Sequence, residues 1–82
     1  MKILLSSIAK NDIRLLVRVF CAEHKQKGIY FLESLKDCIN EIAQEHERSE
    51  EISIRTMEDF PVNIHYMFED EQTLFVTAIF RS

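Results

Sequence analysis

Three residues in the second half of the chain are of the types that handle phosphate esters: Arg55, His65 and Arg81. Two cations and a titratable imidazole make a small polar site able to hold an anion. They sit in segments that alternate apolar and polar residues, ISIRTM (Ile52–Met57), FPVNIHYMF (Phe60–Phe68) and LFVTAIFR (Leu74–Arg81). In a strand, successive side chains point to opposite faces. If Ile54, Ile64 and Phe80 point inward, all three polar residues share the outward face. There they form an anion-binding or target-binding patch, or simply the wet side of a half-buried sheet. Met57, Met67, Phe75 and Ile79 have the same parity. The outward face is then unusually apolar, which marks a surface for a partner protein or a second copy of the chain, unless the chain's own loops cover it.

Other chemistry-bearing residues carry less. Cys21 and Cys38 have no CxxC or Cys/His pattern around them and read as small buried thiols in a reducing compartment. His24, His46 and His65 are scattered, and nothing spaces them as metal ligands. The net charge of −4 argues against a protein that gains its affinity from phosphate contacts. The acids concentrate in EHERSEE (Glu45–Glu51), Glu58-Asp59 and EDE (Glu69–Glu71), all read as loops.

The elements that must position these residues belong to one domain spanning 1–82, since 82 residues suffice for one small core only. One Gly and one Pro in a chain that is 46% hydrophobic leave no room for a linker. The apolar runs are far shorter than the roughly 20 residues of a membrane span, and the start lacks the apolar core of a secretory signal. A soluble, cytoplasmic protein without membrane contact is expected.

The opening KILLS suits a short strand, and Ser7 a helix N-cap. From Ile8 to about Glu23, Ala9, Ile13, Leu16, Val17 and Phe20 recur at helical spacing. A second stripe, Ile8, Leu15, Val19 and Ala22, lies beside them, leaving Arg14 and Arg18 outside. Gly28 after HKQK (His24–Lys27) reads as a left-handed helix cap. A second amphipathic helix then runs from about Ile29 to Gln44, and the short link implies an antiparallel hairpin with the second stripe facing the second helix. Three strands follow, the last two joined by a four-residue turn, Glu69–Gln72. The predicted fold is α+β, in the order β-α-α-β-β-β, with a helical hairpin on one face of a mainly antiparallel sheet.

This order, with particular residues in it, resembles the RelE/ParE superfamily, the toxin subunits of bacterial type II toxin–antitoxin modules. The residues that carry the resemblance are SIAKNDI (Ser7–Ile13), KGIYFLESLKDCINEI (Lys27–Ile42), FPVNIHYMFEDE (Phe60–Glu71) and LFVTAIF (Leu74–Phe80). Phe60-Pro61, Tyr66 and the acidic turn are the most distinctive. The resemblance implies a cytoplasmic protein held inactive by a cognate antitoxin whose extended or helical segment wraps it, with no metal or organic cofactor. It further implies either mRNA cleavage in the ribosomal A site (RelE branch) or poisoning of DNA gyrase (ParE branch).

Three departures weigh against cleavage. Asn63 stands where RNase members often carry arginine, and Glu58-Asp59 stand where basic residues are common and would repel a phosphate backbone. The alignment also ends at Phe80-Arg81-Ser82, where many relatives continue into a tail bearing His, Tyr or Arg. The expectation is a ParE-like toxin subunit. The alternatives are a RelE-like endoribonuclease using Arg55, His65 and Arg81, and a non-toxic member that keeps only its partner surface. A homodimer is compatible with each.

Overall fold

Ser6, not Ser7, opens the first helix. Its extended backbone (φ −65°, ψ 163°) lets its Oγ accept the Ala9 amide at 2.9 Å, while the hydroxyl donates to the Thr77 carbonyl at 2.6 Å. A computed structural model describes residues 1–45 and 48–82 of the chain. Its elements are β1 (Lys2–Leu5), α1 (Ser7–Glu23), α2 (Lys25–Ala43), β2 (Ser53–Thr56), β3 (Val62–Asp70) and β4 (Thr73–Arg81). The predicted α+β order is the one observed. The strands lie in the order β1-β4-β3-β2, with β1 parallel to β4 and the other pairs antiparallel. Both helices pack on one side of the sheet.

The helices are joined at a single residue. His24 (φ −165°, ψ 131°) donates its N–H to the Phe20 carbonyl at 3.0 Å, which closes α1. Its Nδ1 accepts the Gln26 amide at 3.2 Å, which opens α2. Gly28 is therefore not a left-handed cap: it lies inside α2, and no described residue has positive φ. It is the point where the helices touch, and Val17 and Cys21 face it from α1. The stripe of Ile8, Leu15, Val19 and Ala22 does not face α2 as its spacing suggested. It lies exposed on the far flank of α1, because the approach at Gly28 turns the Val17–Cys21 side inward instead.

Side-chain parity in the sheet departs from strict alternation. Ile64 pairs with Ile79 and His65 with Ala78, but Tyr66 pairs with Val76, so Thr77 is an extra residue, a β-bulge. Before the bulge Leu74 and Val76 face the helices beside Phe68 and Tyr66; after it Ile79 and Arg81 do, beside Ile64 and Val62. Ala78 and Phe80 are thereby turned to the open side. In β2 the register Ile54↔His65 and Arg55↔Ile64 sends Ile54 to the open side, 60% exposed, and Arg55 to the helix side. Anchoring of the β2–β3 loop accounts for this choice. Phe60 inserts between Phe20 and Phe31, with ring centroids 5.0 and 5.3 Å away, and Met57 donates its N–H to the Val62 carbonyl at 2.9 Å. Burying Phe60 and Met57 outweighs exposing Ile52 and Ile54.

The core joins Leu16, Phe20, Phe31, Leu35, Ile39 and Ile42 of the helices to Val62, Ile64, Phe68, Leu74, Val76 and Ile79 of the sheet. Glu69 and Asp70 are part of β3, not of the turn. Asp70 pairs with Thr73 and accepts the Gln72 amide at 2.8 Å, which leaves Glu71-Gln72 as the tip. No helix of the described chain is long and apolar enough to cross a membrane.

Candidate functional site

Three rows of directly paired residues form the open side of the sheet. Leu4, Phe75 and Met67 make one, Ala78, His65 and Ile54 the next, and Phe80, Asn63 and Thr56 the third. The first row is wholly apolar and half-buried, while Ile54 and Phe80 are 60% and 50% exposed. His65 stands in the middle, its ring edge-on to Phe80 at 4.8 Å. Thr56 Oγ1 donates to Asn63 Oδ1 at 2.8 Å, so two polar members of the third row satisfy each other.

The seven predicted site residues divide between the two sides. His65, Met67 and Phe75 are on the open side as expected. Met57 and Ile79 are not surface residues but core, 5% and 2% exposed, and so are unavailable to a partner. Arg55 and Arg81 are on the helix side. Arg81 lies 5.4 Å from the centre of the Phe20 ring, a cation–π contact at the mouth of the core. The structure therefore does not bring Arg55, His65 and Arg81 together: the sheet separates His65 from both arginines, and they occupy different strands at different neighbours. Ile54 and Phe80 are the members of the open side that parity placed inward, and Leu4 is a member to which no face was assigned. The bulge that exposes Phe80 has no local sequence signal, since Thr77 fits an unbroken alternation equally well.

Arg55 belongs to a second feature, a cleft of about 230 Å³ between α2 and the β2–β3 loop. Its guanidinium pairs with Glu45 and approaches Glu41 at 3.9 Å, and Tyr66 Oη donates to Glu45 at 3.4 Å. Asp37, Glu58 and Asp59 add carboxylates to the walls. Tyr30 and Ser34 both donate to Asp59, at 2.9 and 3.4 Å. A lone guanidinium held by two carboxylates and ringed by three more does not attract a phosphate. Burial, opposed in part by Arg55, pushes the Cys38 thiol up, which disfavours the nucleophilic thiolate at the cleft floor. Burial, followed by the charge of Glu45, pushes the Tyr66 phenol up as well.

His65 has no side-chain hydrogen bond among the described residues, so nothing orients it as a general acid or base. Cys21 is half-buried against Gly28, and His24 is occupied in capping; His46 lies outside the described residues. Among the described residues no group of three or more His, Cys, Asp or Glu side chains is placed to hold a metal ion. Among the described residues, the open side offers an apolar surface around an isolated His65, and the polar groups of the Arg55 cleft are paired with one another. Comparison with the models of known protein families, with curated proteins and with solved structures finds no match.

Proposed function

We propose that this chain is a ParE-like toxin subunit of a type II toxin–antitoxin module, cytoplasmic, neutralised by a cognate antitoxin and acting on a macromolecular target such as DNA gyrase by binding it. The observation that carries the choice of binding over cleavage is the apolar open side of the sheet, Leu4, Met67, Phe75, Ile54 and Phe80, with His65 isolated among them and both arginines on the opposite side. An apolar, unpartnered surface of this kind suits protein recognition. RNA cleavage requires cationic groups converging on one phosphate, and Arg55 is instead committed to Glu45.

Tightly controlled induction in bacteria, with pulse labelling of DNA and protein synthesis in the same culture, tests the proposal. Arrest of DNA synthesis with filamentous cells is expected, abolished by Met67→Lys with Phe75→Lys and unchanged by His65→Ala. Immediate arrest of translation that His65→Ala or Arg81→Ala relieves would replace this reading with a ribosome-dependent endoribonuclease. Undisturbed growth would leave a chain that binds a partner without being toxic.

A further inference from the structure

We infer that the solvent side of the helical hairpin pairs with the same surface of a second copy of this chain, α1 of each copy lying against α2 of the other. This inference is independent of the chain's target. Lys10, Arg14 and Arg18 stand at successive four-residue steps along α1, and Glu33, Asp37 and Glu41 do so along α2; all six are exposed. At 1.5 Å per residue, the charges in each row are about 6 Å apart. The rows point away from the core-facing Leu16, Phe20, Leu35 and Ile39, with the exposed Asp37 and Glu41 on the edge that α2 shares with the Arg55 cleft. Among the described residues, five of the six take part in no ion pair; the exception is Glu41, which approaches Arg55 at 3.9 Å and keeps 74% of its side chain exposed.

Two rows of equal spacing and opposite sign on one antiparallel hairpin are self-complementary. A two-fold axis parallel to the helices places each basic row over the acidic row of the other copy, twice, which is an isologous contact. The one-residue link at His24 and the touch at Gly28 set Arg14 level with Glu33 and Lys10 level with Asp37. The same levels are kept across the two-fold, so Arg14 meets Glu33 of the second copy and Lys10 meets its Asp37. Exposed Ile29 and Leu32 lie beside the rows and add apolar contact.

The available area is enough for a specific but modest dimer. An α1 of 17 residues is about 25 Å long and two packed helices are about 20 Å wide, so each copy contributes about 500 Å² and the pair about 1,000 Å², the lower limit for specific association. A polyanion is a poorer occupant of the basic row, because Glu33, Asp37 and Glu41 run beside it on a chain of net charge −4.

Sedimentation equilibrium of the purified chain tests the inference. A dimer is expected at tens of micromolar in about 50 mM salt, weakened at least about tenfold at about 500 mM as screening shortens. Arg14→Glu with Arg18→Glu is expected to be monomeric, and so is Glu33→Arg with Asp37→Arg. Mixed in equal amounts, the two are expected to form a one-to-one heterodimer. All four positions are exposed, and unchanged circular dichroism checks the fold; Arg14→Gln with Arg18→Gln serves as a milder variant. A monomeric parent, a dimer that survives both reversals, or a mixture that stays monomeric would overturn the inference. So would tight binding of a short single-stranded RNA that only the first variant loses.

Discussion

A β-carbon at Gly28 would stand 2.1 Å from Cys21 Sγ and 3.2 Å from the Cys21 nitrogen and the Val17 oxygen. The sulfur can rotate away; the backbone atoms cannot move without parting the helices. Gly28→Ala is therefore expected to lower stability by about 1–3 kcal/mol in urea unfolding, despite the better helix propensity of alanine. Adding Cys21→Ala is expected to recover part of that loss by removing the closest atom. Three ionisable side chains give a pH signature. Tyr30 is pushed up by the hydrogen bond it donates to Asp59, and Cys38 and Tyr66 by burial, from ordinary values of 10.0, 9.0 and 10.0. Each keeps its proton longer folded than unfolded, so its contribution is complete below the unfolded value and is lost as pH rises through the folded one. Stability is expected to fall above about pH 9, less steeply in Tyr66→Phe, as read by thermal unfolding across pH 7–11.

At the scale of elements, the four residues of β1 are too few to cover β4, and they pair only with Thr73–Val76. Beyond that point α1 closes the edge. Asp12 Oδ2 accepts the Ile79 amide at 3.0 Å, and Ser6 Oγ holds the carbonyl of the bulged Thr77 at 2.6 Å. These contacts satisfy backbone groups that would otherwise template a foreign strand. Asp12→Ala leaves the Ile79 N–H without its partner and is expected to cost about 1–3 kcal/mol. Ser6→Ala removes a helix cap and the bulge anchor together and is expected to cost at least about 1 kcal/mol. Amide exchange at Ile79 is the sharper readout, since it should accelerate in Asp12→Ala beyond what global destabilisation explains.

For the whole molecule, the decisive feature is which apolar residues the sheet buries between itself and the helices. Met57→Ala and Ile79→Ala each empty space in the core and are expected to cost about 2–5 kcal/mol. Met67→Lys, on the open side, is expected to cost less than about 1 kcal/mol while weakening the proposed binding through that side. Equal losses at Met57 and Met67 would contradict the assignment of sides. The hairpin's paired charge rows, Lys10–Arg18 and Glu33–Glu41, give a chain of net charge −4 a local surface that is nearly balanced. Association through that surface would leave the apolar open side free for a different partner.

The α+β class, the order of elements and most of the helix faces that meet the core were legible in the amino-acid sequence, because these follow from local periodicity. Ala9, Leu16 and Phe20 in α1, and Phe31, Leu35, Ile39 and Ile42 in α2, are buried as their spacing predicts. The tertiary structure alone decided where two helices touch and which way each strand faces. Gly28 looked like a cap because glycine favours both left-handed turns and close packing, and only the approach of α1 distinguishes them. Arg55, Phe80 and Arg81 changed sides because strand parity is a binary quantity: one bulge at Thr77, or a register set by burying Phe60, inverts every residue that follows. The candidate site was legible as an apolar sheet face, but its membership was not, since that depended on contacts between residues far apart in the chain.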